Sequence, residues 1–157
     1  MDIDTIARAL HVLAIVHWIG GVSFVTLVVL PSINRHPVEH ERPDLFERLE
    51  RFFAPQAKAS VLIAGMTGLY LVWKQDMWGR FLEPGMWWMH AMLVIWAIFA
   101  VVLFVAEPLV LHNWFQARAA RAPASTMRLV WRAHVVLLTL SVVTAGSAVL
   151  GAHGALF

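Results

Sequence analysis

Residues 86–106 contain no Asp, Glu, Lys or Arg. A run of about 20 such residues crosses the roughly 30 Å hydrocarbon core of a bilayer as one helix, and few soluble architectures tolerate it. Three further apolar stretches flank it. One covers residues 6–30 and meets Pro31 and Asn34; another covers 129–150 and reaches Gly151. The weakest, 59–73, reaches span length only by extending back through Phe52, Phe53 and Pro55. No segment alternates polar and apolar residues, which disfavours a transmembrane barrel, and lipid tolerates only helices or closed barrels. The expected fold is an all-α membrane protein, a single domain over residues 1–157. Four transmembrane helices, at about 6–30, 53–73, 86–106 and 129–150, form an up-down bundle in the bilayer.

Composition agrees. Hydrophobic residues make up 60% of the chain and charged ones 14%, against about half and a quarter in soluble domains. The sequence pI of 9.7 hints at nucleic acid, yet the net charge is only +2 and the basic residues lie in short loops. That pattern orients a membrane protein and does not read nucleic acid. The chain has no cysteine. Disulfides, Cys-ligated zinc, iron–sulfur clusters and covalent haem attachment all need thiols and are excluded. A redox metal must therefore rely on His, Met, carboxylate or a non-covalently bound macrocycle. The acidic start at Asp2 and Asp4 and the length of the first apolar run do not suit a cleavable signal peptide.

Charge sets the expected orientation. Arg35, Arg42, Arg48, Arg51 and Lys58 fall between the first two spans, and Arg118, Arg121, Arg128 and Arg132 between the last two. The opposite side has only Arg8, Lys74 and Arg80. Positive loops stay inside, so both termini are expected outside, in the periplasm of a bacterial inner membrane. Residues 43–53 read as a short amphipathic helix on the inner surface. Pro43 sits in its first turn, Leu45, Phe46, Leu49, Phe52 and Phe53 form its apolar stripe, and Glu47 pairs with Arg51 at i,i+4.

The eight histidines carry most of the functional information, because ionisable residues inside spans are expensive. His11 lies five residues into the first span and His90 four residues into the third. Both spans run from outside to inside, so the two imidazoles share a depth in the outer half of the bundle. Matched histidines on different helices suit axial ligation of haem b. His17 is deeper and about 240° around the first helix from His11, at roughly 100° per residue. A pair involving His17 or His153 is the competing assignment, as is a second haem on the inner side through His112 or His134. His36 and His40 read as solvated loop residues. Gly20, Gly21, Gly65, Gly68, Gly146 and Ser147 offer room for a flat macrocycle, or equally for close helix packing and a homodimer. Trp73, Trp78, Trp87, Trp88, Trp114 and Trp131 fit interfacial belts, whereas Trp18 and Trp96 lie deeper and either flank a porphyrin or fill core. Met86, Met89 and Met92 sit near His90; thioethers suit Cu(I), and they also fill irregular cores. Glu107 is expected to pair with Arg128 or Arg132, with Pro108 closing the third helix.

The stretch Ala9-Leu10-His11 through His17-Trp18-Ile19-Gly20-Gly21 resembles the opening helix of the copper-resistance-D-like membrane family and of the related HemJ-type protoporphyrinogen oxidases. In both, a histidine precedes a Trp-x-Gly-Gly-like or Trp-x-x-Gly-like element by seven residues, as His11 precedes Trp18. Trp88-Met89-His90-Ala91-Met92-Leu93 is similar to the HemJ-type Trp-x-His-x-Lys-Leu element. The resemblance implies a small inner-membrane haem b protein with His11 and His90 as ligands. Met92 stands where that element has lysine, which counts against porphyrinogen oxidation.

Three functions follow as expectations. The first is a membrane b-type cytochrome that binds haem through histidines and passes single electrons to a redox partner or quinone. The second is a copper-handling or copper-uptake protein using His11, His17 and His90 with the nearby methionines. The third is a HemJ-like protoporphyrinogen oxidase. A purely structural subunit of a larger respiratory or transport complex is the non-catalytic alternative.

Overall fold

The structure is a computed structural model that describes residues 2–154. Among the described residues it is helical throughout, with no strand. Four long helices dominate: α1 (Ile3–Asn34), α2 (Arg42–Lys74), α3 (Pro84–Arg121) and α4 (Pro123–Ala152). Helices α1, α3 and α4 are each long and apolar enough to cross a membrane. Asp2 caps the start of α1 by accepting from the Asp4 amide. Asp76, in the left-handed region at φ 49°, turns the chain after α2.

The helices outrun their apolar stretches. α1 runs on through Pro31 to Asn34, and α3 runs on through Pro108 to Arg121. The region expected as a separate surface helix at 43–53 is continuous with α2, although Pro55 lies inside it. Two of the prolines are accommodated by widening the helix. Val25–Val29 and Val102–Leu111 are π-helical, and the carbonyls four residues before Pro31 and Pro108 lie within these turns. In the first, the Leu30 amide reaches back to the Val25 carbonyl, which releases the Thr26 carbonyl. The Trp131 indole N–H donates to that carbonyl at 3.2 Å. A backbone acceptor that lipid could not satisfy is thereby paired from α4.

Side-chain contacts define an antiparallel arrangement. Along α1 and α2, Tyr70 donates to Asp4, His11 meets Ala64 and Thr67, and Phe53 fills the space over Gly21. Between α2 and α3, Trp96 donates to the Val61 carbonyl at 2.8 Å and lies over Gly65. Trp88 of α3 packs on Gly151 of α4. Two cores result. Trp18, Val22, Val61, Ile95, Phe99 and Leu138 form one at mid-bundle. Leu30, Ile33, Phe46, Phe115, Ala119 and Met127 form the other, towards the basic loops. The apolar stripe of residues 43–53 divides accordingly: Phe46 is buried, while Leu49 and Phe52 point outward.

A Cβ at Gly65 would stand 2.6 Å from the Trp96 indole, whereas one at Gly20 would meet nothing within 4 Å. Gly65→Ala should therefore lower stability by about 1–3 kcal/mol through overpacking. Gly20→Ala should be neutral or stabilising by up to about 1 kcal/mol, through helix propensity alone. Thermal unfolding of both variants in one detergent checks the contrast; equal melting temperatures would show that Trp96 is not seated on Gly65.

Candidate functional site

α1 carries His11 into its seam with α2, and Gly68 makes space for the ring. A Cβ at residue 68 would stand 3.0 Å from His11 Cε1. His11 Nδ1 lies 2.9 Å from the Ala64 carbonyl oxygen and 3.1 Å from Thr67 Oγ1. A carbonyl only accepts, so Nδ1 must carry the proton. The Thr67 hydroxyl spends its own proton on the Ile63 carbonyl at 2.6 Å, which leaves oxygen lone pairs for His11. In the neutral imidazole this is the Nδ1–H tautomer, which leaves the lone pair on Nε2. Metal-ligating histidines are commonly oriented in this way, with the second ring nitrogen donating to a carbonyl or hydroxyl that fixes the ring and raises its basicity.

The other histidines have different surroundings. His134 Nδ1 donates to the Val130 carbonyl at 2.9 Å, and Phe46 stands edge-on to its ring at 6.2 Å. His153, exposed at the end of α4, donates likewise to the Val149 carbonyl at 2.8 Å. His90 lies on the exposed face of α3 with the Phe81 ring edge-on at 5.4 Å, while its neighbours Trp88 and Met89 turn inward. His17 is on the outer face of α1. His112 is exposed and contacts Gln116 of its own helix. His36 and His40 lie in the loop before α2. His11 and His90 therefore have different neighbours: the first belongs to the α1–α2 seam and the second faces Phe81. Among the described residues no group of three or more His, Asp or Glu is placed to share a metal ion.

Most of the small-residue surfaces are occupied. Phe53 closes Gly21, Trp96 closes Gly65 and His11 closes Gly68, so each of these glycines seats a ring from a neighbouring helix. Of the five glycines singled out, Gly20 and Gly146 face open surroundings. Trp18 fills the core, 5% exposed and edge-to-face with Phe99 at 4.7 Å. Met89 is buried and Met86 and Met92 are half-buried. Of the donors haem would need, His11 offers one, a single imidazole braced by Ala64 and Thr67 in the seam of α1 and α2.

A second ionisable group stands nearer the basic loops. Lys58 Nζ bridges α2 to Glu107 Oε2 of α3 at 3.0 Å, which corrects the expected pairing of Glu107 with Arg128 or Arg132. The reason is geometric: the π-helical stretch around Pro108 and the antiparallel register of α2 and α3 bring Glu107 level with Lys58. Close by, burial pushes the Glu50 carboxyl above the usual carboxylate range, and the charges of Glu107 and Glu47 add to the effect.

The sequence reading missed Thr67, Ala64 and Lys58 as partners. Thr67 was visible only as a polar residue between Gly65 and Gly68, and a backbone acceptor such as Ala64 leaves no mark in sequence. Comparison with protein-family models, curated proteins and solved structures finds no match to this chain.

The tautomer is directly measurable. In protein carrying 15N-histidine, assigned by comparison with His11→Gln, His11 should show a protonated Nδ1 and a pyridine-like Nε2 at neutral pH in the metal-free state. A protonated Nε2 would remove the orienting role of Ala64 and Thr67.

Proposed function

We propose that this chain is a four-span b-type cytochrome of the bacterial inner membrane, with both termini on the outer side, that binds haem b through His11 and mediates electron transfer. The observation that carries the reading is the seating of His11, whose Nδ1 is committed to Ala64 and Thr67 and whose Nε2 is free to ligate. His90 is proposed as the second ligand on sequence depth and on the HemJ-type resemblance of its surroundings. α2 is taken as the fourth span for two reasons. Residues 53–73 extend about 30 Å as a helix, and the one charge in that stretch, Lys58, is neutralised by Glu107.

When bound, haem b supplies one-electron exchange at its iron. The chain's own contribution is positional and electrostatic. Ala64 and Thr67 hold the His11 ring, and Gly68 lets it lie close to α2. The packed aromatic residues Trp18, Phe99 and Trp96 keep mid-bundle apolar, which favours a low-dielectric surrounding for a redox centre. A quinone or a protein redox partner at the outer side is the proposed electron source or sink.

The test is the visible spectrum of the purified full chain, oxidised and dithionite-reduced, with metal analysis on the same sample. The expected result is a sharp reduced α-band of b type with about one iron per chain. His11→Ala should abolish or recast that spectrum, and Thr67→Val should retain it while weakening haem affinity by about 10-fold or more. A preparation that stays colourless after haem-supplemented growth overturns the proposal, and copper in that sample supports the copper-handling alternative.

The span count has its own test, made simple by the absence of native cysteine. A cysteine at Asp2 should react with a membrane-impermeant maleimide added to intact spheroplasts, and one at Gln116 only after lysis. Labelling of both from one side would refute the proposed topology.

A further inference from the structure

At the end of the bundle that carries the basic loops, a cavity of about 300 Å³ opens between α1, α2 and α4. Its lining is Pro31, Asn34, Arg35, Arg42, Arg128 and Trp131. Three arginines, one just past the end of α1, one on α2 and one on α4, thus line one space. Arg42 is held in place by its own contacts: Nε and Nη2 donate to the His36 carbonyl at 3.0 and 2.7 Å, and Nη1 lies 3.6 Å from Glu39. Arg35 and Arg128 are exposed and have no ion pair among the described residues. Three like charges with Glu39 as their one paired carboxylate leave positive charge in surplus, so the arrangement favours an anion between them. Guanidinium forks suit phosphate oxygens in particular, because they can donate in parallel pairs.

The surroundings identify which phosphate. The Trp131 ring is fixed by its hydrogen bond to the Thr26 carbonyl, so the cavity wall on the α4 side is rigid and aromatic. One turn above Pro31, on the bilayer side, Leu27 and Val28 of α1 are exposed and apolar, at 64% and 50%. A basic cavity continuous with an exposed apolar strip, at the end of bilayer-length helices, matches a molecule with a phosphate head and acyl chains. We infer that the cavity bounded by Arg35, Arg42, Arg128 and Trp131 is a binding site for an anionic phospholipid, with its phosphodiester held by the arginines and its chain along Leu27 and Val28. Three arginines facing one Glu39 leave a surplus of positive charge, so a lipid with two phosphodiesters binds more tightly than one with a single phosphodiester. A zwitterionic lipid binds least. This site is independent of haem: it lies at the other end of the bundle from His11 and Tyr70, and its test reads no redox property.

The full chain is exchanged into phosphatidylcholine nanodiscs containing cardiolipin or phosphatidylglycerol, released, and its retained lipid counted by native mass spectrometry. Retention in the order cardiolipin, phosphatidylglycerol, phosphatidylcholine is expected. Arg35→Gln with Arg128→Gln should weaken cardiolipin retention by about thirtyfold, from roughly fivefold per arginine at a membrane surface. Arg118→Gln with Arg121→Gln removes the same charge from the same end of the molecule but outside the cavity, and should change retention less than twofold. Both pairs are exposed, and an unchanged melting temperature in detergent shows that the fold is intact. Equal losses in the two double variants would reduce the effect to diffuse surface charge and overturn the site. Retention of phosphatidylcholine equal to that of cardiolipin would overturn it as well. Displacement of cardiolipin by millimolar inorganic phosphate would reassign the cavity to a small soluble anion.

Discussion

The close seam between α1 and α2 sets the positions of the remaining parts. It is long because its contacts recur along both helices: Asp4 with Tyr70 at one end, His11 with Ala64, Thr67 and Gly68 below it, and Phe53 over Gly21 further down. Glycine is what permits each approach of an aromatic ring to the opposing backbone. Lipid tails are as apolar as leucine, so helix association in a bilayer depends on such fitted contacts and on hydrogen bonds and not on expelling water. With α2 fixed against α1, its other face presents Val61, Gly65 and Lys58 to α3. Helix α4 then closes the bundle through Trp88 on Gly151 and Trp131 on Thr26. The orientation of His11 is a product of that seam. Its ring is where it is because Gly68 yields space and Ala64 and Thr67 accept its proton.

Several polar groups inside the bundle are paired between helices. Trp96 reaches the Val61 carbonyl, Trp131 reaches the Thr26 carbonyl, and Lys58 reaches Glu107. The Lys58–Glu107 pair ties α2 to α3 and neutralises an ammonium that, unpaired inside a bilayer, would cost a few kcal/mol. Among the described residues, the indole nitrogens of Trp18 and Trp88 and the Asn34 Oδ1 are buried without partners.

The helical class and the bilayer-length apolar runs of α1, α3 and α4 were readable because hydrophobic length is a one-dimensional property. Residues 86–106 declare a span without reference to any other part of the chain. The extent of each helix was less readable. Pro31 and Pro108 look like terminators in sequence, yet the helix continues past each with a π-helical stretch, and near Pro31 the Trp131 indole takes up the released carbonyl. Partnerships were hardest. Glu107 had several arginines near it in sequence and pairs with Lys58, forty-nine positions away. The same limit applies at the candidate site: equal depth in two spans does not specify equal azimuth, and His11 and His90 have different neighbours. The glycines were readable as small surfaces, but not the rings that fill them.

The two π-helical stretches have a consequence for how faces are counted along this chain. A π turn uses more residues per revolution than the about 3.6 of an α-helix, so every residue beyond it is rotated relative to a uniform wheel. In α3 the stretch Val102–Leu111 separates the mid-bundle residues Ile95 and Phe99 from Phe115 and Ala119. Both groups face the interior, although they belong to different angular phases of an ideal helix. The widened turn acts as a phase corrector: it lets one continuous helix keep its apolar side towards two successive cores whose partners are arranged differently around it. A helix of this length without that slip would present one of the two groups to lipid.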